Sequence, residues 1–388
     1  MTAPFVFPEG SLGASRALHM QAKGLSEAGH DVVVAVRRGS LDAESAEFDG
    51  FRMRSFSPFT EEETCLWRRL SWLRAHVRML MYLLHSIWKR EFGSIVFWGP
   101  APVFGAAAIA AKLRGQQTIY VQGDIQNLRT PLHVLAEIVL ARTASLIIVG
   151  GSSLLSARLR RIAPGTKQVK LWPPTDTAYF GAADGARARE SLNVGEGRLV
   201  VYAGAMTSLE GVDVLIRSMT SVVGRIPGAR LIIAGFVLGR DPILGAPLQY
   251  EKLIDSLGLQ NSVVLAGPMS MRAVADLYAA ASVLVNPKVD HLANQVAAPI
   301  KIGEYLAAGR PVLTTKVCEL ETWLVDRRDV LFCDAGDPGA LAAGICELLT
   351  NADLAERLSR EGASAARRVC DYRVWGRTVG KAIEEART

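Results

Sequence analysis

Cysteine is scarce and scattered. The five thiols, Cys65, Cys318, Cys333, Cys346 and Cys370, are odd in number and show no paired metal spacing, which excludes a disulfide scaffold and a zinc knuckle. Reduced thiols in a cytosol are the expectation. Long apolar runs are also missing: no stretch reaches the roughly 18 uninterrupted residues that a spanning helix needs. Residues Met1 to Pro8 lack the basic start and apolar core of a secretion signal. Positive charge is in only mild excess, 44 Lys and Arg against 38 Asp and Glu, and no dense basic tract interleaves with aromatics, so nucleic acid is not an expected partner. What is present is apolar material, 49% against 21% charged, enough for well-filled cores, over a length that favours two domains.

Short β-branched runs alternate with helical stretches along the whole chain. In the first half, strands are expected at Phe5–Phe7, Asp31–Val36, Phe51–Ser55, Ser94–Trp98, Gln117–Val121 and Leu146–Val149. The first of these is very short for a strand, which suggests a chain that begins inside its first strand, by truncation or a misplaced start. In the second half they are expected at Leu199–Tyr202, Arg230–Ala234, Ser262–Leu265, Ser282–Val285, Pro311–Thr314 and Val330–Phe332. Helices between such strands indicate parallel sheets covered on both faces. The fold class is therefore α/β, two Rossmann-like doubly wound domains facing a cleft. We place the first domain at 1–172, the second at 173–370, and a C-terminal helix at 371–388 that packs back on the first. Ligands in such sheets bind outside the carboxyl ends of the strands.

The most informative string is Pro299-Ile-Lys-Ile-Gly-Glu304-Tyr-Leu-Ala-Ala-Gly309-Arg-Pro311-Val. It reads as a helix start, a cation and an acid in the first turns, a glycine stop and a buried strand. Free amides at the start of that helix suit a phosphate; Lys301 adds a charge, and Glu304 is placed to accept bonds from ribose hydroxyls. An ordinary αβ unit with a surface Lys and Glu is the alternative. Near the N-terminus, Gly10 and Gly13 let backbone approach a ligand closely. They do not make the Gly-x-Gly-x-x-Gly pattern, so a nicotinamide oxidoreductase, for which Arg37-Arg38 could greet a 2′-phosphate, stays a remote alternative.

The Pro299–Val312 string resembles the donor-site helix of glycosyltransferase family 4, the group 1 type with the GT-B fold. Pro8 to Arg16 resembles that family's glycine loop, Pro173 to Phe180 its interdomain segment, and Val201 to Asp213 the opening of its second domain. The resemblance implies a retaining, metal-independent transferase, without a cofactor, that moves a sugar from a nucleotide-sugar donor to a glycan or lipid-linked acceptor. It implies that Gly204, Ala298, Pro299, Ile300, Lys301 and Glu304 bind the donor, with Glu304 on the ribose and the amides of Ala298 to Lys301 on the diphosphate. Gly10 and Gly13 would form the acceptor-side glycine loop. Asp124, in Tyr120-Val-Gln-Gly-Asp124, is the catalytic candidate of the first domain; a helix-capping or loop acid is its alternative.

The sequence also departs from the family. Where the family carries an Arg and a Lys aimed at the diphosphate, this chain has Ala205 and Glu210; the first acid of the paired-glutamate motif falls on Val296; and Trp98 and Gly123 stand where a histidine is often found. Losing two charge-assisted bonds would remove roughly 3–6 kcal/mol. A non-catalytic homologue acting as a binding or partner protein is therefore the main rival reading. Among replacement cations Lys301 is preferred, while Lys288, Arg240 and Lys316 read as solvated surface charges. Finally, Leu66, Leu70, Leu73, Val77, Leu80, Leu84 and Ile87 recur at helical spacing and are expected to face the core. Arg68, Arg74 and Arg78 beside Trp67, Trp72 and Met79 would occupy the other faces, a pattern that also suits peripheral contact of the Leu66–Ile87 helix with the cytosolic face of a membrane.

Overall fold

The computed structural model describes residues 2–7, 13–39, 45–56, 65–125, 130–195, 197–237, 241, 244–245 and 248–387, without side chains for 2–14, 37–46, 48 and 65–72. The chain divides into two compact units: Met1–Pro174 with Val296–Ala298 and Tyr372–Thr388, and Thr175–Gln295 with Pro299–Asp371.

Unit 1 contains β1 (Thr2–Phe7), α1 (Gly13–Glu27), β2 (Val33–Gly39), β3 (Ser45–Phe48), β4 (Phe51–Ser55), α2 (Cys65–Lys89), β5 (Ser94–Trp98), α3 (Pro102–Leu113), β6 (Gln117–Gln122), α4 (Pro131–Thr143), β7 (Leu146–Gly150), α5 (Ser153–Ile162) and β8 (Lys167–Leu171). These strands form one sheet in the order β3-β4-β2-β1-β5-β6-β7-β8. All neighbours run parallel except β3 and β4. The first strand is six residues long rather than three. Pairing of Thr2, Ala3, Val6 and Phe7 with Ala35, Val36, Arg38 and Gly39 extends the strand over the Thr2-Ala3-Pro4 start, which carries no apolar signal of its own.

Unit 2 contains α6 (Thr177–Gly181), α7 (Gly185–Ser191), β9 (Leu199–Met206), α8 (Val212–Arg225), β10 (Arg230–Val237), α9 (Tyr250–Ser256), β11 (Val263–Gly267), α10 (Met271–Ala280), β12 (Val283–Asn286), α11 (Leu292–Val296, whose last residue falls in unit 1), α12 (Ile300–Ala307), β13 (Val312–Thr315), β14 (Leu331–Cys333), α13 (Pro338–Thr350) and α14 (Ala352–Val369). Its sheet is wholly parallel, in the order β11-β10-β9-β12-β13-β14. Strands β12 and β13 are buried at every position, Asn286, Thr314 and Thr315 included, as central strands of a parallel sheet are. Val200, Tyr202, Leu215, Ile216, Leu231, Ile233, Val285 and Leu313 lie in one core.

The final helix, α15 (Tyr372–Glu385), belongs to unit 1 and lies against α1. Two glycines permit the approach: a Cβ at Gly24 would overlap the carbonyl of Tyr372, and one at Gly376 would overlap the carbonyl of Gly24. Trp375, Val379 and Ile383 then enter the core built on α1, β2 and β4. Tyr372 donates to Glu27 at 2.6 Å, and Arg373 donates to the same carboxylate at 3.0 Å.

Helix α2 turns only part of the expected stripe inward: Ile87 is buried and Leu80 packs against the same core. Ala75, Met79, Leu83, Ser86 and Ile87 are buried, whereas Leu73 is 54% and Val77 47% exposed, and Leu84 is exposed with Met81 and Trp88. The helix carries two apolar stripes. The stripe with Ala75, Met79 and Leu83 goes inside, and of the described leucine stripe Leu73, Val77 and Leu84 stay outside. Among the described residues no helix is long and apolar enough to cross a membrane.

Candidate functional site

The strand order of unit 2 reverses between β9 and β12. The chain leaves β9 toward one side of the sheet and β12 toward the other, so their carboxyl ends open a crevice, the usual ligand position in an open parallel sheet. The segments that follow these two strands meet there. After β9 comes a single 3₁₀ turn, Ser208–Glu210, and then Gly211 at φ +69°. A Cβ at Gly211 would overlap the carbonyl of Pro287, so only glycine allows the two segments to close on one another. Asp241 fixes the turn, accepting from the Ser208 amide at 2.7 Å and its hydroxyl at 2.6 Å.

Among the described residues, three charged side chains meet in the crevice. Glu210 lies between two lysines, with Lys288 Nζ 2.5 Å from Oε1 and Lys301 Nζ 2.5 Å from Oε2. Only 17% of the Glu210 side chain is exposed, against 10% for Lys288 and 12% for Lys301. Lys288 also donates to Asn294 Oδ1 at 3.0 Å, and Asn294 in turn donates to the carbonyls of Leu209 and Val289 at 2.8 and 2.9 Å. The Lys288 carbonyl accepts from the Thr315 hydroxyl at 2.7 Å. Lys301 Nζ lies 4.3 Å above the centre of the Tyr202 ring and donates to its hydroxyl at 3.1 Å. The Tyr202 hydroxyl donates to the Ala205 carbonyl at 2.7 Å.

The electrostatics follow from this packing. Burial alone would raise the Glu210 carboxyl, but Lys301 and Lys288 outweigh it and bring the pKa down to about 2. Burial draws the Lys301 ammonium below its ordinary range, against the pull of Glu210. Burial, with the Glu210 carboxylate beside it, pushes the Tyr202 phenol well above its own. The cluster is thus a buried carboxylate held by two ammonium groups.

The residues singled out in the sequence distribute as follows. Gly204 stands on β9 where a Cβ would come within 2.7 Å of Lys301 Nζ and 2.9 Å of the Tyr202 hydroxyl, so its bare backbone admits the lysine. Pro299 caps α12, Ile300 is its first residue, and Lys301 follows. Glu304, one turn further, is 1% exposed and accepts from the Tyr278 hydroxyl at 3.4 Å. Ala298 groups with unit 1, where the position of a Cβ on Gly151 lies 2.7 Å from its own Cβ. Asp124 follows β6 in unit 1, and its carbonyl accepts from Gln122 Nε2 at 2.7 Å. Gly13 opens α1, while Gly10 and Arg240 lie outside the described residues.

Reading Lys288 as a solvated surface charge is corrected by its burial between Glu210 and Asn294. Its partner lies 78 residues away in sequence, and only the strand reversal brings them together. Lys316, by contrast, is 52% exposed and 3.6 Å from Asp334. The signal that could have found Lys288 was its place: it follows Asn286-Pro287 directly at the carboxyl end of a buried strand.

Residues 197–351 match the family model described as glycosyl transferases group 1. The chain is 30% identical over 215 residues to the D-inositol 3-phosphate glycosyltransferase of Acidothermus cellulolyticus, covering 54% of this chain and 46% of that protein. It is 26% identical over 263 residues to the mannosylfructose-phosphate synthase of Agrobacterium fabrum, covering 64% and 57%. The chain thus spans about half the length of the curated relatives it matches. Among solved structures, sucrose-phosphate synthase from Thermosynechococcus elongatus superposes with a TM-score of 0.75 at 20% identity, covering 96% of this chain and 93% of that one. Anabaena Alr3699/HepE in complex with UDP superposes at 0.72 and 15% identity, covering 98% of each chain. The α/β architecture with two parallel-rich sheets is the GT-B fold of these structures.

Proposed function

From the premise that the chain carries a group 1 glycosyltransferase domain at residues 197–351, we propose that it transfers a sugar from a nucleotide-sugar donor to a glycan or lipid-linked acceptor. The observation that carries this reading is the pair of buried cations, Lys288 and Lys301, at the strand reversal of that domain. A diphosphate needs positive charge beside backbone amides, and the first turn of α12 supplies both. Glu304 takes the donor ribose, one helical turn from Lys301. Transfer proceeds with retention at the anomeric carbon, and Asp124, just after β6, is the catalytic candidate of unit 1. UDP is the first nucleotide to try, since the Anabaena protein was solved with it.

We place the protein at the cytosolic face of a membrane. Leu73, Val77, Met81, Leu84 and Trp88 line one exposed side of α2, with Arg74, Lys89 and Arg90 also exposed on that helix and just beyond it. Apolar side chains beside basic ones suit an anionic lipid surface.

The rival reading, a non-catalytic homologue, draws on one observation: both cations already hold Glu210. Calorimetric titration with UDP, GDP and ADP separates the two. Micromolar binding of one nucleotide, lost in Glu304→Ala with the fold intact, is the expected result. A well-folded protein that binds none of the three would refute donor use and leave the non-catalytic reading.

A further inference from the structure

The cluster of Glu210, Lys288 and Lys301 has a property that neither lysine has alone. Each carboxylate oxygen takes one ammonium, at 2.5 Å on either side. The arrangement is built rather than incidental: Asn294 and Thr315 pin Lys288, Tyr202 and Gly204 seat Lys301, and Asp241 and Gly211 set the turn that carries Glu210. Two ammonium groups this close to one anion position and this poorly exposed would repel one another without it. The carboxylate holds both in place. Any other anion that uses the two lysines must take over the bonds Glu210 makes.

We propose that Glu210 is an internal stand-in for phosphate: it occupies the anion position between Lys288 and Lys301, and a nucleoside diphosphate binds by displacing its carboxylate from them. The proposal rests on the donor reading above and adds a selectivity rule to it. A single phosphate offers little more than the carboxylate already does, so it competes poorly. A nucleoside diphosphate brings more charge and anchors its nucleoside elsewhere, so it can meet the cost of displacement. Glu210 thereby sets which anions enter, and it weakens every one that does.

The test is calorimetric titration of wild type, Glu210→Gln and Glu210→Asp with UDP, GDP, ADP and inorganic phosphate. Glu210→Gln keeps the shape and removes the charge; the nucleotide that binds should bind about tenfold or more tighter, the weight of one charge-assisted bond. Inorganic phosphate should become measurable only in that variant. Glu210→Asp retracts the carboxylate and should fall between the two, which preserves the test if the Gln variant folds poorly. Adding Lys288→Met to Glu210→Gln should cancel the gain. Equal nucleotide affinity in wild type and Glu210→Gln overturns the proposal and leaves the donor reading standing; weaker binding in Glu210→Gln overturns it by making the carboxylate a support for the clamp. If neither protein binds any nucleotide, the donor reading and the proposal fall together.

Discussion

Removing the Glu210 charge should cost stability in a way that pH can read. A carboxyl brought from an ordinary value near 4.5 down to about 2 is stabilised by roughly 3 kcal/mol of interaction with its two lysines. Because the pKa in the folded protein is depressed, this stabilisation is fully present above about pH 5, where the unfolded chain is also ionised. It is lost as pH falls through the window from about 4.5 to about 2, and more than half has gone by roughly pH 3. Glu210→Gln should therefore be about 3 kcal/mol less stable than wild type near pH 7. The gap should narrow steadily on acidification. Glu210→Lys, which restores the family's residue type, should be worse, because it sets a third ammonium beside Lys288 and Lys301. Urea unfolding of wild type and Glu210→Gln, followed by circular dichroism at a series of pH values, gives the gap directly. A gap that stays constant with pH would assign the effect to shape rather than charge. No gap at neutral pH would refute the reasoning altogether.

Two further outcomes are expected elsewhere in the molecule. Gly376→Ala should destabilise unit 1 by about 2 kcal/mol or more, since the added methyl would overlap the carbonyl of Gly24; an unchanged thermal midpoint and unchanged protease resistance of residues 372–387 would contradict the packing argument. Wild type should sediment with vesicles rich in phosphatidylserine and not with neutral phosphatidylcholine, and Met81→Glu with Trp88→Glu should abolish the binding. Equal recovery on both vesicle types, or from the double variant, would remove the membrane from the proposed function.

Much of unit 2 could be read from residue order because its strands are short, mostly apolar runs between amphipathic helices. Strands β9 to β14 differ from expectation mainly at their ends. The antiparallel β3 and the strand β8 were missed. Ser-Ala-Glu-Phe is short, and Lys-Gln-Val-Lys-Leu is polar and never fully buried, so neither carries the apolar signal of a central strand. The candidate site was half legible. Lys301 and Gly204 sit on recognisable local strings, and they do lie together. The third charge did not announce itself, because a lone lysine after a proline looks solvated until its carboxylate is known. In the sequence Glu210 stands out only as an acid where the family carries a lysine. It points inward, but it arrives with two lysines, and the sign of its effect depends on all three. Helix α2 shows the converse limit: two apolar stripes share one helix, and composition alone does not choose between them.

The glycine contact between α1 and α15 also has a consequence for biosynthesis. A ribosome releases β1 to β8 early, yet the face of that sheet that receives Trp375, Val379 and Ile383 must wait while almost all of unit 2 is translated. Through that interval nascent unit 1 presents an uncovered apolar surface, the kind of surface that chaperones hold and that promotes misassembly. The order of synthesis and the order of completion are therefore reversed: unit 2 can close on its own residues first, and the earliest part of the chain to be made is the later one to be finished.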